Sequence, residues 1–327
     1  MFPRKLRPGN DVRIIAPSCT LPSLPWVTEA FLDRAKEFFR SRGMTVSESA
    51  HLREVDAFGS TTVEGRVEDL HAAFADPSVA AMITIRGGFS SNQLLAHLDW
   101  DLIRKHPKIL CGFSDITALS NAIWAKTGLV SYSGPNFYHF GFGEQMSYTY
   151  ESFHRCLLED EPYAIEPSSA WTDDRYSPER ESLVFEKNDG PWMLQPGEAE
   201  GTLLGGNLCT LNLLQGTEFF PDIRESVLFL EDDYESTVAA FDRNLQSLLH
   251  LPEATIRGLV IGRFQKKTEM TRALLEGIIA AKPELRGLPV IANVDFGHTH
   301  PMITYPIGGR VKIFSSADSH KIDILSH

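Results

Sequence analysis

Short apolar runs and longer amphipathic stretches alternate along the first half of the chain. Val12 to Ala16 is an apolar run closed by Pro17 and predicts a strand. Trp26 to Arg42 places Phe31, Ala35, Phe38 and Phe39 at helical spacing and stops before Gly43, a residue suited to the position just past a helix. Thr45 to Ser47 predicts a second short strand, and Arg66 to Ala75 a second helix, stopped by Asp76-Pro77. Ala80 to Ile85 reads as a buried strand running into Gly87-Gly88. Lys108 to Gly112 predicts another strand and Thr117 to Lys126 another helix, followed by Gly128. Strands alternating with helices of this length indicate βαβ units and a parallel sheet, in which function gathers where strands end and helices begin.

The rhythm lapses between Glu159 and Pro196, a stretch with Pro162, Pro167, Pro178 and Pro191, many charges and two tryptophans, Trp171 and Trp192. It reads as a linker or a long functional loop. Alternation then resumes. Ser226 to Leu230 predicts a strand leading into Glu231-Asp232-Asp233, Val238 to Leu249 a helix, Gly258 to Ile261 a strand, Arg272 to Ala281 a helix and Val290 to Val294 a strand. Tyr305 to Ser315, with Gly308-Gly309 inside it, has the texture of β structure. The expected organisation is an α/β protein: a first domain over residues 1–158, a linker or active-site loop over 159–198, and a smaller β/α domain over 199–327.

Composition narrows the function. Among 327 residues, 31 Lys and Arg stand against 43 Asp and Glu, a net charge of −12 that argues against binding a nucleic-acid polymer. No apolar run approaches the ~18 residues needed to span a bilayer. The basic clusters of the N-terminus have no apolar stretch behind them, so no secretory signal is expected. A cytoplasmic protein without a membrane partner is the expectation. Cys19, Cys111, Cys156 and Cys209 lie far apart with no CxxC spacing, which predicts scattered reduced thiols rather than disulfides or a zinc site.

Four stretches could carry chemistry. In Ile109-Leu110-Cys111-Gly112-Phe113-Ser114-Asp115 a serine sits at a strand-to-helix turn, beside the amide groups of a helix N-terminus that could hold an oxyanion. It resembles a nucleophile elbow that lacks the second glycine; the plainer reading is a helix cap. Val227 to Leu230 ends in Glu231-Asp232-Asp233, where an acid could orient a histidine or simply face solvent, and periodicity does not choose among the three. His298 and His300 follow the strand Val290 to Val294. They could be catalytic or structural, and no third ligand at zincin spacing supports a metal. Gly87-Gly88 either turns a loop or brings a backbone N–H up to a reacting carbonyl; a dinucleotide fingerprint is missing.

Together these stretches resemble the LD-carboxypeptidase and microcin C immunity peptidase family of serine peptidases. The resemblance spans nearly the whole chain. It rests on Ala16-Pro17-Ser18, Arg86-Gly87-Gly88, Gly112-Phe113-Ser114-Asp115, Gly205-Gly206-Asn207-Leu208, Leu230-Glu231-Asp232 and Phe296-Gly297-His298-Thr299 leading to Pro306-Ile307-Gly308. It implies a Rossmann-like N-terminal domain, a mixed β/α C-terminal domain and a homodimer. It also implies a triad of Ser114 as nucleophile, His298 as base and Glu231 as the acid orienting it, with the N–H groups of Gly88 and Asp115 as oxyanion hole. No metal or organic cofactor is required. The implied substrate is a small peptide or aminoacyl-nucleotide. One branch trims the terminal D-alanine from murein tetrapeptides; the other cleaves the amide joining an aspartate to a modified nucleotide. Ser90 to Leu95, Asn293 to Thr299 and the loop with Ser169 to Asp173 are more similar to the immunity branch. Trp171 could stack on a nucleobase or pack its loop, and Arg86 could anchor a substrate carboxylate or phosphate or be structural. A two-domain protein that binds a peptide or nucleotide without turnover is the rival reading.

Overall fold

The computed structural model describes residues 1–174, 183–251 and 255–327, so Pro178 of the expected linker lies outside the described residues. Thr28 and Thr62 set where the first helices begin. Each hydroxyl accepts a backbone N–H three residues on, Phe31 at 3.2 Å and Gly65 at 3.1 Å, so α1 spans Glu29–Arg40 and α2 spans Val63–Ala75. Apolar spacing alone starts the first at Trp26 and the second at Arg66; capping chemistry moves both.

The first half is wound as β1 (Asp11–Ile15), α1, β2 (Thr45–Glu48), α2, β3 (Val79–Thr84), α3 (Trp100–Lys105), β4 (Ile109–Gly112), α4 (Ile116–Thr127) and β5 (Ser131–Ser133), closed by α5 (Ser147–Leu158). These strands pair in parallel in the order β2-β1-β3-β4-β5. The order reverses between β1 and β3, the point at which doubly wound sheets take ligands. β4 and nearly all of β3 are buried apolar runs, as strands covered on both faces must be.

The second half begins with β6 (Tyr163–Ala164), a ribbon of β7 (Ala170–Trp171) on β8 (Glu186–Lys187), and β9 (Trp192–Gln195). It continues through β10 (Gly197–Asn207), α6 (Leu208–Asn212), β11 (Ser226–Glu231), α7 (Val238–Leu249), β12 (Gly258–Gly262), α8 (Arg272–Ala280) and β13 (Val290–Val294). The last strands are β14 (Tyr305–Ile307), β15 (Arg310–Ser315) and β16 (His320–Ser326). The second sheet has the order β6-β16-β15-β10-β11-β12-β13-β9, with β10 to β13 parallel and the flanks antiparallel. The 159–198 segment is therefore built into this sheet, since β6 and β9 are its two edges. Both are half-buried without alternation and pair with distant strands, β16 and β13, which sequence periodicity does not register.

β14 and α4 both knit the halves together. β14 pairs antiparallel with β5, extending the first sheet with a strand from the C-terminal region. Gly205 and Gly206 let α4 press onto β10: a Cβ on Gly206 would lie 2.4 Å from Thr117 Oγ1. There Asn121 Nδ2 donates to the Gly205 carbonyl at 2.8 Å, and the Asn207 N–H donates to Thr117 Oγ1 at 2.9 Å. All four cysteines are free thiols, and among the described residues no helix is long and apolar enough to cross a membrane.

Candidate active site

β4 ends at Gly112, where a Cβ would stand 2.2 Å from Thr84 Oγ1, so only glycine allows the two strands to finish this close together. Ser114 makes the turn into α4 at φ +64°, a left-handed conformation that costs a non-glycine residue about 1–3 kcal/mol. That turn presents its hydroxyl to a cleft of about 470 Å³. Space beside the serine comes from the loop after β3, because a Cβ on Gly87 would lie 2.9 Å from Ser114 Cβ. The glycine missing from the elbow sequence is replaced by one from a neighbouring strand end.

The imidazole of His298 bridges the two halves. Its Nε2 lies 3.0 Å from Ser114 Oγ and its Nδ1 lies 2.7 Å from Glu231 Oε2. Glu231, 3% exposed at the end of β11, fits a slot cut by two glycines: a Cβ on Gly297 would be 2.9 Å from Oε2, and one on Gly262 would be 3.0 Å from Glu231 Cβ. Asp232 turns the other way, as strand alternation requires, and meets Asn207 Nδ2 at 3.4 Å. Burial lifts the Asp232 carboxyl to about 6, with the charges of Glu231 and Asp233 adding to it. Asp233 returns to the cleft, its Oδ2 3.9 Å from His298 Nε2.

Burial works against a charged His298, but the charge and hydrogen bond of Glu231, followed by the charges of Asp233 and Asp232, outweigh it and hold the ring above its usual range. His300 also lines the cleft. Burial, then the neighbouring His298, pushes its imidazole down to about 4, so it is neutral near pH 7. His139, packed against it with ring centroids 5.1 Å apart, is likewise held well below the usual range by burial.

Asp115 occupies the N-cap of α4 but makes no side-chain cap there. Its buried carboxylate instead accepts the Ser18 hydroxyl at 2.6 Å and the N–H groups of Ser90 at 2.9 Å and Ser91 at 2.8 Å. It thus ties the ends of β1, β3 and β4 together around Gly88, whose φ is +153° and whose Cβ would strike Ser18 Oγ at 2.3 Å. Arg66, 3% exposed, braces the same loops through the carbonyls of Pro17 and Ser90. Neither role is legible in the sequence beyond the polar residues crowded at these strand ends.

Arg86 is exposed at the cleft and donates through Nη1 to the Ser23 carbonyl at 3.3 Å. Trp171 stands outside the cleft lining, its indole facing the Arg263 guanidinium at 5.0 Å and Lys266 Nζ at 5.3 Å. Its loop is fastened by the buried Arg263–Asp295 pair, by Ser168 bonded to Asp295, and by a two-way backbone bridge between Thr172 and His300. The aromatic lining of the cleft includes instead Trp26, Phe89, Tyr138 and Phe142. Among the described residues no group of three or more His, Cys, Asp or Glu side chains could hold a metal ion.

Residues 12–134 match the LD-carboxypeptidase N-terminal domain and residues 200–313 the LD-carboxypeptidase C-terminal domain. The Bacillus subtilis protein named "Putative carboxypeptidase YocD" is 48% identical over 100% of both chains. The "Probable murein peptide carboxypeptidase" of the same organism is 33% identical over 94% of this chain and 90% of its own. The Escherichia coli microcin C7 self-immunity protein MccF is 30% identical over 89% of this chain and 87% of its own. Among solved structures, an MccF-like protein from Bacillus anthracis superposes with TM-score 0.96 at 45% identity over 100% of both chains. MccF in complex with aspartyl sulfamoyl adenosine superposes with TM-score 0.86 at 27% identity over 100% of this chain and 99% of that one.

Proposed function

The chain belongs to the LD-carboxypeptidase family, and on that premise we propose that it is a serine peptidase hydrolysing an amide at the C-terminal end of a small peptide or aminoacyl-nucleotide. Ser114 Oγ attacks the scissile carbonyl while His298 Nε2 takes its proton. Glu231 holds the imidazole by Nδ1 and stabilises the imidazolium. The N–H groups of Gly88 and Asp115 receive the developing oxyanion. His298 then hands the proton to the leaving nitrogen, and water releases the acyl group by the same steps. Arg86 anchors a carboxylate or phosphate of the substrate. The rings of Trp26 and Tyr138 offer faces for a base, with Trp171 bracing the loop alongside. The enzyme acts in the cytoplasm as a homodimer, which light scattering on the purified protein tests.

The observation that carries this reading is the unbroken hydrogen-bond chain from Ser114 through His298 to Glu231, built on a strained serine in a cleft. It favours turnover over simple binding. Aminoacyl-nucleotides are the first substrate choice because MccF, bound to aspartyl sulfamoyl adenosine, shares the whole fold. Murein tetrapeptides are the second, because the murein peptide carboxypeptidase aligns over nearly the whole chain. Mass spectrometry of both compounds incubated with wild type and Ser114→Ala decides. Serine-dependent cleavage of the adenosine compound alone supports the first choice, cleavage of the tetrapeptide alone the second, and cleavage that survives Ser114→Ala overturns the mechanism.

A further inference from the structure

Asp233 faces the catalytic imidazole from the side opposite Glu231. Its Oδ2 is 3.9 Å from His298 Nε2, the same nitrogen that meets Ser114 Oγ at 3.0 Å. It lines the cleft together with Ser114 and His298. The carboxylate is already oriented, because Oδ1 accepts the Glu235 N–H at 2.8 Å, which turns Oδ2 toward the ring. Two atoms 3.9 Å apart share neighbours about 3 Å from each, the ordinary hydrogen-bond length. A substrate nitrogen at such a point would face Nε2 and keep its own N–H directed at the carboxylate.

We propose that Asp233 is a catalytic residue of acylation that accepts a hydrogen bond from the N–H of the leaving amine, so that the site favours scissile bonds whose nitrogen carries a hydrogen. The proposal rests on the serine-peptidase reading above. In the step concerned, the Ser114 oxygen is already bonded to the substrate carbon. The proton on Nε2 moves to the lone pair of the nitrogen, the carbon–nitrogen bond then breaks with its electron pair staying on nitrogen, and the oxyanion re-forms the carbonyl of the acyl-enzyme. Asp233 neither gains nor loses a proton. It holds the nitrogen where the lone pair meets Nε2, and its charge stabilises the N–H as positive charge builds on the departing amine.

Asp233→Asn keeps an oxygen for the Glu235 N–H and removes the charge. The test compares kcat/KM, which reports acylation, for an amide and a p-nitrophenyl ester of one acyl group, together with the rate at which a fluorophosphonate labels Ser114. Asp233→Asn is expected to lower amide kcat/KM about 10- to 100-fold, the size of a hydrogen bond to a charged group. Ester turnover and labelling, which need no proton on a leaving nitrogen, should stay within about threefold of wild type. Asp233→Glu should recover part of the amide rate. Equal losses on amide and ester, or no loss on either, overturn the role. Amide cleavage that persists in Ser114→Ala marks instead a failure of the serine-peptidase reading.

Discussion

The Ser18 hydroxyl and the Asp115 carboxylate, both buried, meet at 2.6 Å, and the same carboxylate oxygen receives the N–H groups of Ser90 and Ser91. One buried oxygen thus fixes the loop that carries Gly88 against the helix that begins just after Ser114. Asp115→Asn puts an N–H₂ or a weaker acceptor in that position. Its kcat should fall about 10²-fold, the scale of losing one oxyanion donor, with a smaller change in KM. Steady-state kinetics check this, and Ser18→Ala, which removes one of three donors, should show the same trend at lower amplitude.

Backbone conformation at Ser114 gives an independent handle. With φ at +64°, Ser114→Gly should raise the stability by about 1 kcal/mol, whereas Ser114→Ala keeps the strain. Both should lose at least about 10³-fold in turnover. Chemical denaturation of the two variants beside wild type measures the difference. Equal stability of the Gly and Ala variants would mean the turn is not strained.

As the proposed base, His298 can take a proton only while its ring is neutral. Glu231 and Asp233 face it from the end of β11, the charge of Asp232 acts from behind them, and the neutral His139 and His300 lie nearby. The net effect raises the ring above 6.5, so kcat/KM should climb with pH through a midpoint above that value. Glu231→Gln removes the charge that lifts the ring. It should move the midpoint down while cutting the plateau about 10³- to 10⁴-fold. A pH–rate profile of both proteins decides, and an unmoved midpoint would remove Glu231 from its place.

Asp232 predicts a stability effect rather than a catalytic one. Its folded-state carboxyl sits near 6 instead of 3.8, so the fold prefers it protonated. Its stabilisation is full below about pH 4 and is lost as the pH rises through 6. Asp232→Asn cannot ionise, so its Tm advantage over wild type should grow from pH 4 to pH 7, with activity changed far less than in Glu231→Gln. Thermal melts across that range test the sign.

Much of this was readable from residue order. The turn at Gly112–Ser114 follows from an apolar strand ending in glycine ahead of a helix, and most strand and helix positions followed from their periods. Choosing Glu231 over Asp232 was not a matter of pattern. Adjacent residues at a strand end point opposite ways, and the period gives no sign of which face meets His298; family resemblance supplied that. The edge strands β6 and β9 were hidden because two to four half-buried residues pair with partners more than 90 positions away. Trp171 was ambiguous for a related reason: Arg263 and Lys266, which face its indole, come from another part of the chain.

β14 has a consequence for how substrate enters. A strand from the part of the chain that supplies His298 is hydrogen-bonded into the sheet that supplies Ser114, through Tyr305 opposite Ser133. Jaws hinged at a linker can yawn to admit a bulky guest; walls laced by a shared strand must break its hydrogen bonds to do so. Admission is therefore a matter of size at the doorway, governed by the side chains and short loops around the rim. On the proposed function, a chain end or a small conjugate is expected to pass in and the middle of a folded protein to be turned away.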